Sequence, residues 1–213
     1  MEAVRGRTAN RVGARNARWP GHRLVPLPNG LRLITVSRPG TPTVAVRAYV
    51  RAGSRYDVEE RLSNPSRPAL GLAHLTEHLL FKGTQTHTQR DVFASVEHLG
   101  GALDAGTTKE YATLSAVMPG EGLRVALDVI AELLTEFACR EDDIWNEKLV
   151  VLAEIQRARD QRGVLQDLFA ETLWRKHPFR HPVHGSLEGL QDLDRETVAA
   201  FQRKRYVAGN AVV

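Results

Sequence analysis

Apolar and polar positions alternate most strictly along residues 43–52, TVAVRAYVRA. Val44, Val46, Ala48 and Val50 fall on one side, and Arg47, Tyr49 and Arg51 on the other. A period of two sends successive side chains to opposite faces of an extended chain, so this run predicts a half-buried strand. Shorter alternating runs at 23–28 and 31–36, around Pro28-Asn29-Gly30, predict a hairpin. Residues 109–118 alternate again and are expected to pair with the earlier strands. Elsewhere the period lengthens. Residues 69–82 and 88–98 predict helices, the second capped by Thr88 and ended by Gly100-Gly101. Leu123, Leu127, Ile130, Leu134 and Phe137 mark the apolar stripe of a helix over 122–137. A longer helix is expected over 141–161, opening with Asp142-Asp143 where acids offset the helix dipole, and shorter ones over 165–175 and 195–204. Gly53 to Pro68 reads as a polar loop broken by Asn64-Pro65 and Arg67-Pro68. Residues 210–213 read as the start of a strand with little to pair with.

That order of elements predicts an α+β fold, with helices packed on a mostly antiparallel sheet. Composition keeps the chain within ordinary globular proteins: 213 residues, 42% hydrophobic and 25% charged. No apolar run approaches the roughly 18 residues of a membrane span. The formal charge of +4 is concentrated at the start, where Arg5, Arg7, Arg11, Arg15, Arg18 and Arg23 face only Glu2. The rest is close to neutral, which argues against a nucleic-acid surface. Residues 1–22 are expected to be a basic, disordered arm, with the folded domain over 23–213. The arm lacks the apolar stretch of a secretory signal, so the expected location is cytoplasmic. Its Arg-rich, acid-poor composition also fits a transit peptide, with the mitochondrial matrix as the alternative. Cys139 is the single cysteine, which excludes an intrachain disulfide and suits a packed thiol in a reducing compartment.

The candidate chemistry lies on the helix expected over 69–82. His74 and His78 are four residues apart and share one helix face, so two imidazoles can hold one metal ion from the same side. Glu77 stands beside them as a candidate base, giving the inverted order H-x-x-E-H. A catalytic zinc needs a third protein ligand. Glu154 is the candidate, because it sits in the apolar run Leu149 to Ile155, where an unpartnered carboxylate is costly and a cation relieves the cost. Glu147 lies two turns earlier on nearly the same face, about 10 Å away along the axis, and is expected to shape the site rather than join Glu154 as a ligand. His177, His181 and His184 share a loop with Pro178 and Pro182 and no matching acids, and are expected to be solvated.

The stretches Arg51-Ala52-Gly53-Ser54-Arg55-Tyr56 and Gly71-Leu72-Ala73-His74-Leu75-Thr76-Glu77-His78-Leu79-Leu80-Phe81-Lys82-Gly83-Thr84 closely resemble the pitrilysin/insulinase family of zinc peptidases. Leu99-Gly100-Gly101-Ala102-Leu103-Asp104-Ala105, then Thr107 and Glu110-Tyr111-Ala112-Thr113, is similar to the family's edge-strand region. The resemblance runs from residue 24 to 213. It implies that His74, His78 and Glu154 hold Zn²⁺, that Glu77 takes a proton from the attacking water, and that Glu147 is the family's additional glutamate. It also implies an extended peptide or unfolded-protein substrate pairing near residues 102–106, and a second homologous half, in the same chain or from a partner, to complete an endopeptidase. Asp104 stands where relatives usually carry Asn, and the loop from Tyr56 to Gly71 is longer than usual. The alternative is a non-catalytic structural subunit of the same fold. No nucleic-acid or membrane partner is expected.

Overall fold

A computed structural model describes residues 21–60, 68–159 and 163–213. The basic arm up to Pro20 and most of the added loop segment, Ser63 to Arg67, lie outside the described residues. The hairpin is β1 (His22–Pro26) against β2 (Arg32–Val36), closed by the Asn29 side chain, which accepts the Leu31 amide at 3.1 Å. The strongest alternating run is β3 (Thr43–Val50). It pairs antiparallel with β5 (Ala112–Pro119), and β5 pairs with β4 (Ala102–Thr107). The run expected from residue 109 therefore begins three residues later, after a turn in which Thr108 caps Tyr111 and Glu110.

The tail of the chain corrects the sequence reading. Ala211–Val212 form β6, which sits inside the sheet, parallel to β2 and antiparallel to β3. The strand order is β1-β2-β6-β3-β5-β4, so the sheet is mixed rather than purely antiparallel. Isolated from its neighbours a two-residue strand has nothing to hold it. Here the pairing comes from strands more than a hundred residues earlier, which local pattern does not reveal.

The helices are α1 (Leu72–Leu80), α2 (Gln89–Glu97), α3 (Leu123–Thr135), α4 (Glu141–Arg159), α5 (Gly163–Leu173), α6 (Leu187–Asp192) and α7 (Arg195–Arg205). Thr88 caps α2 in a reciprocal arrangement: its hydroxyl accepts from the Asp91 amide and Asp91 accepts from the Thr88 amide. Val46, Ala48 and Val50 of β3 and Leu114, Ala116 and Met118 of β5 are buried, whereas Tyr49 and Val117 on the opposite face are exposed. α3 covers the buried face through Ala126, Val129, Ile130 and Leu133. Leu123 and Leu127, expected in that stripe, are instead more than two-fifths exposed, because the helix lies rotated toward its smaller residues. Among the described residues, no helix is long and apolar enough to cross a membrane.

Candidate metal centre

α1 is buried on almost every side, packing against α4, α7, β4 and the turn of Ser54–Glu59. Its first turn has no side-chain cap of its own. Asp57 supplies one from that turn: Oδ2 accepts the Gly71 amide at 2.8 Å and Oδ1 the Ala73 amide at 3.0 Å. Gly71 enters the helix at φ +100° and Gly185 crosses it at φ +83°. A Cβ on Gly185 would lie 2.4 Å from Gly71 Cα, so the two backbones are locked together.

This frame presents His74 and His78 with their Nε2 atoms 3.2 Å apart. Glu154, projecting from α4, places Oε2 3.6 Å from each of them. Two ring nitrogens and a carboxylate oxygen converge on one point. Tetrahedral ligands about 2.0–2.2 Å from a zinc ion are separated by about 3.3–3.6 Å, so the three spacings match the edges of such a polyhedron. The donor set fits zinc in kind and in spacing.

Glu147 takes a different position. Its Oε2 accepts from His78 Nδ1 at 3.0 Å, and its Oε1 pairs with Lys82 Nζ at 2.6 Å. The burial argument made for Glu154 belongs to Glu147: the Glu147 side chain is 6% exposed and that of Glu154 33%. The apolar run misled because Leu149 and Val150 face outward from α4. Lys82, four residues after His78 in the stretch that carries the family resemblance, thus joins the centre through Glu147, a contact that the spacing of His74, Glu77 and His78 does not reveal.

Glu77 is buried, and its Oε2 accepts from Thr107 Oγ1 at 3.0 Å, which ties it to the end of edge strand β4. Burial raises its pKa above the ordinary carboxylate range, favouring a group that can take up a proton. Burial, with His78 and His184 close by, pulls His74 down to about 3 and keeps its imidazole neutral. Burial also pulls on His78, but Glu147, Glu77 and Glu154 outweigh it and raise its pKa.

The loop expected to be solvated is not. Residues 177–186 are half-buried or buried throughout. Lys109 Nζ donates to the carbonyls of Phe179 and His181, each at 2.8 Å, and His184 stands edge-on to His74 with ring centroids 4.9 Å apart. The acid missing from the loop itself is Glu154, brought by α4: one donor atom each of His74, Glu154 and His184 falls within 4.8 Å of the others.

Residues 32–186 match the insulinase family, peptidase family M16. The chain belongs to this family. An uncharacterized zinc protease of Mycobacterium leprae is 34% identical over 188 residues, covering 88% of this chain and 40% of that protein. A probable mitochondrial-processing peptidase subunit beta of Arabidopsis thaliana is 31% identical over 195 residues, covering 91% and 35% respectively. A protease from Helicobacter pylori has the same fold, with TM-score 0.82 and 26% identity over 91% of this chain and 45% of that one. The insulinase-family chain thus spans less than half the length of each of these relatives.

Proposed function

We propose that this chain is the zinc-binding half of a metalloendopeptidase that hydrolyses peptides or unfolded segments. The observation that carries the reading is the convergence of His74 Nε2, His78 Nε2 and Glu154 Oε2 at tetrahedral spacing, with buried Glu77 beside them. His74, His78 and Glu154 would hold Zn²⁺. The ion, when bound, polarises a peptide carbonyl and lowers the pKa of water toward neutrality. Glu77 accepts a proton from water as its oxygen attacks the carbonyl carbon. It then delivers that proton to the amide nitrogen as the C–N bond breaks, leaving a carboxylic acid and an amine, which re-equilibrate to carboxylate and ammonium in water. Thr107 aims the Glu77 carboxylate during both transfers.

The free edge of β4 supports an extended substrate. Among the described residues β4 pairs only with β5, and its last residue, Thr107, bonds to Glu77, so a peptide added along that edge runs past the base. A second homologous half or subunit would close over it. The outer sides of α4 and α5 expose Trp145, Leu149, Leu165, Leu168 and Phe169, each by more than half, as a surface that such a half could cover. The intact ligand set and Glu77 favour this reading over a non-catalytic subunit.

The test is the metal content of the purified chain together with peptide cleavage. The native chain is expected to bind one zinc and to cleave slowly, with cleavage abolished by chelator. Glu154→Gln should lose zinc, and Glu77→Gln should keep zinc while cleavage falls by a factor on the order of 10² to 10⁴. A chain that takes up no zinc, or an unchanged rate in Glu77→Gln, sinks the reading.

A further inference from the structure

His184 has no part in the hydrolysis described above, yet its setting is that of a site residue. It lies edge-on to His74, and a donor atom of its side chain falls within 4.8 Å of donors on His74 and Glu154. Its backbone is held beside α1 by the Gly71–Gly185 contact, and Lys109 ties down the same loop through the carbonyls of Phe179 and His181. His184 also lines a small cavity of about 130 Å³, shared with Ile155, Ala158, Val164 and Asp167.

From this placement we infer that His184 is a fourth protein ligand to the metal ion, closing its coordination when no substrate is present. The inference rests on the zinc site proposed above. Three imidazoles and one carboxylate form an all-protein tetrahedral set, whereas a catalytic zinc site keeps one position open. His184 fills that position at rest and withdraws into the adjoining cavity when a peptide is presented along β4. A closed resting site holds zinc more tightly and withholds the reactive position from adventitious ligands.

X-ray absorption at the zinc edge counts the imidazoles directly. The native chain loaded with one equivalent of zinc should show three, and His184→Ala should show two. Zinc affinity of the variant, measured against a chromophoric chelator, should fall by more than about tenfold, the scale on which even outer partners of a metal act. Native protein that binds zinc through only two imidazoles overturns the inference and leaves the peptidase reading standing. Native protein that binds no zinc overturns both.

Discussion

Glu147 Oε2 lies 3.0 Å from Nδ1 of His78, on the ring nitrogen opposite the one that faces His74 and Glu154. The carboxylate thereby fixes the tautomer: Nδ1 donates, and Nε2 is left with its lone pair toward His74 and Glu154, where the metal is proposed to bind. Hydrogen bonds from His78 and Lys82 outweigh burial and hold Glu147 below its ordinary pKa, so it remains charged for this task. Glu147→Gln should weaken zinc binding by about 10- to 100-fold without abolishing it. Competition with a chelator measures the loss, and thermal unfolding of the metal-free chain should move little.

Asp57 caps a helix that it does not belong to. Removing its side chain leaves the buried amides of Gly71 and Ala73 without acceptors. Asp57→Ala is therefore expected to destabilise the fold by about 2 kcal/mol or more, and Asp57→Asn, which keeps an acceptor oxygen, by less. Urea denaturation of the two variants compares them. Equal stability of native protein and Asp57→Ala would show that α1 is held by packing alone.

How much of this was legible in the chain? The strands and helices with strict periodicity were, because β3 and α2 follow from local spacing and from the Thr88 cap. His74, Glu77 and His78 were legible for the same reason, since one helical turn brings them together. Glu154 stands beside the two imidazoles, but not as the buried acid that its apolar run predicts: its carboxylate is partly exposed, and the buried one is Glu147. The position of β6 and the approach of His184 depend on contacts between distant segments, about which periodicity carries no information. Gly71 and Gly185, both at positive φ, mark where those segments meet.

His87 Nδ1 lies 2.7 Å from Glu132 Oε1 at the surface, and that hydrogen bond raises its pKa. A histidine whose folded pKa is raised contributes its stabilisation below the unfolded value and loses it as pH climbs through the folded one. An NMR titration should place the His87 midpoint above that of a free histidine. Glu132→Gln should bring it back down. An unchanged midpoint in the variant would show that the carboxylate does not act on the ring.

Burial pushes the Cys139 thiol up to about 11, and its Sγ lies 3.8 Å from the Arg195 carbonyl. The thiolate is the reactive form, so the native protein should react only slowly with a disulfide reagent at neutral pH. Unfolding in denaturant should release one rapidly reacting thiol per chain. Fast labelling of the native state would contradict the packing of this residue against α7.

The place of β6 has a bearing on how the protein is made. Residues 211–212 join the N-terminal hairpin to the rest of the sheet, so β1 and β2 cannot dock through them until that stretch has left the ribosome. A nascent chain holds its first two strands idle while nearly everything between is synthesised, and long-range closure of this kind is slow. Ribosome-bound intermediates halted before Ala211 should accordingly expose the hairpin to protease, while those extended past Val213 should protect it.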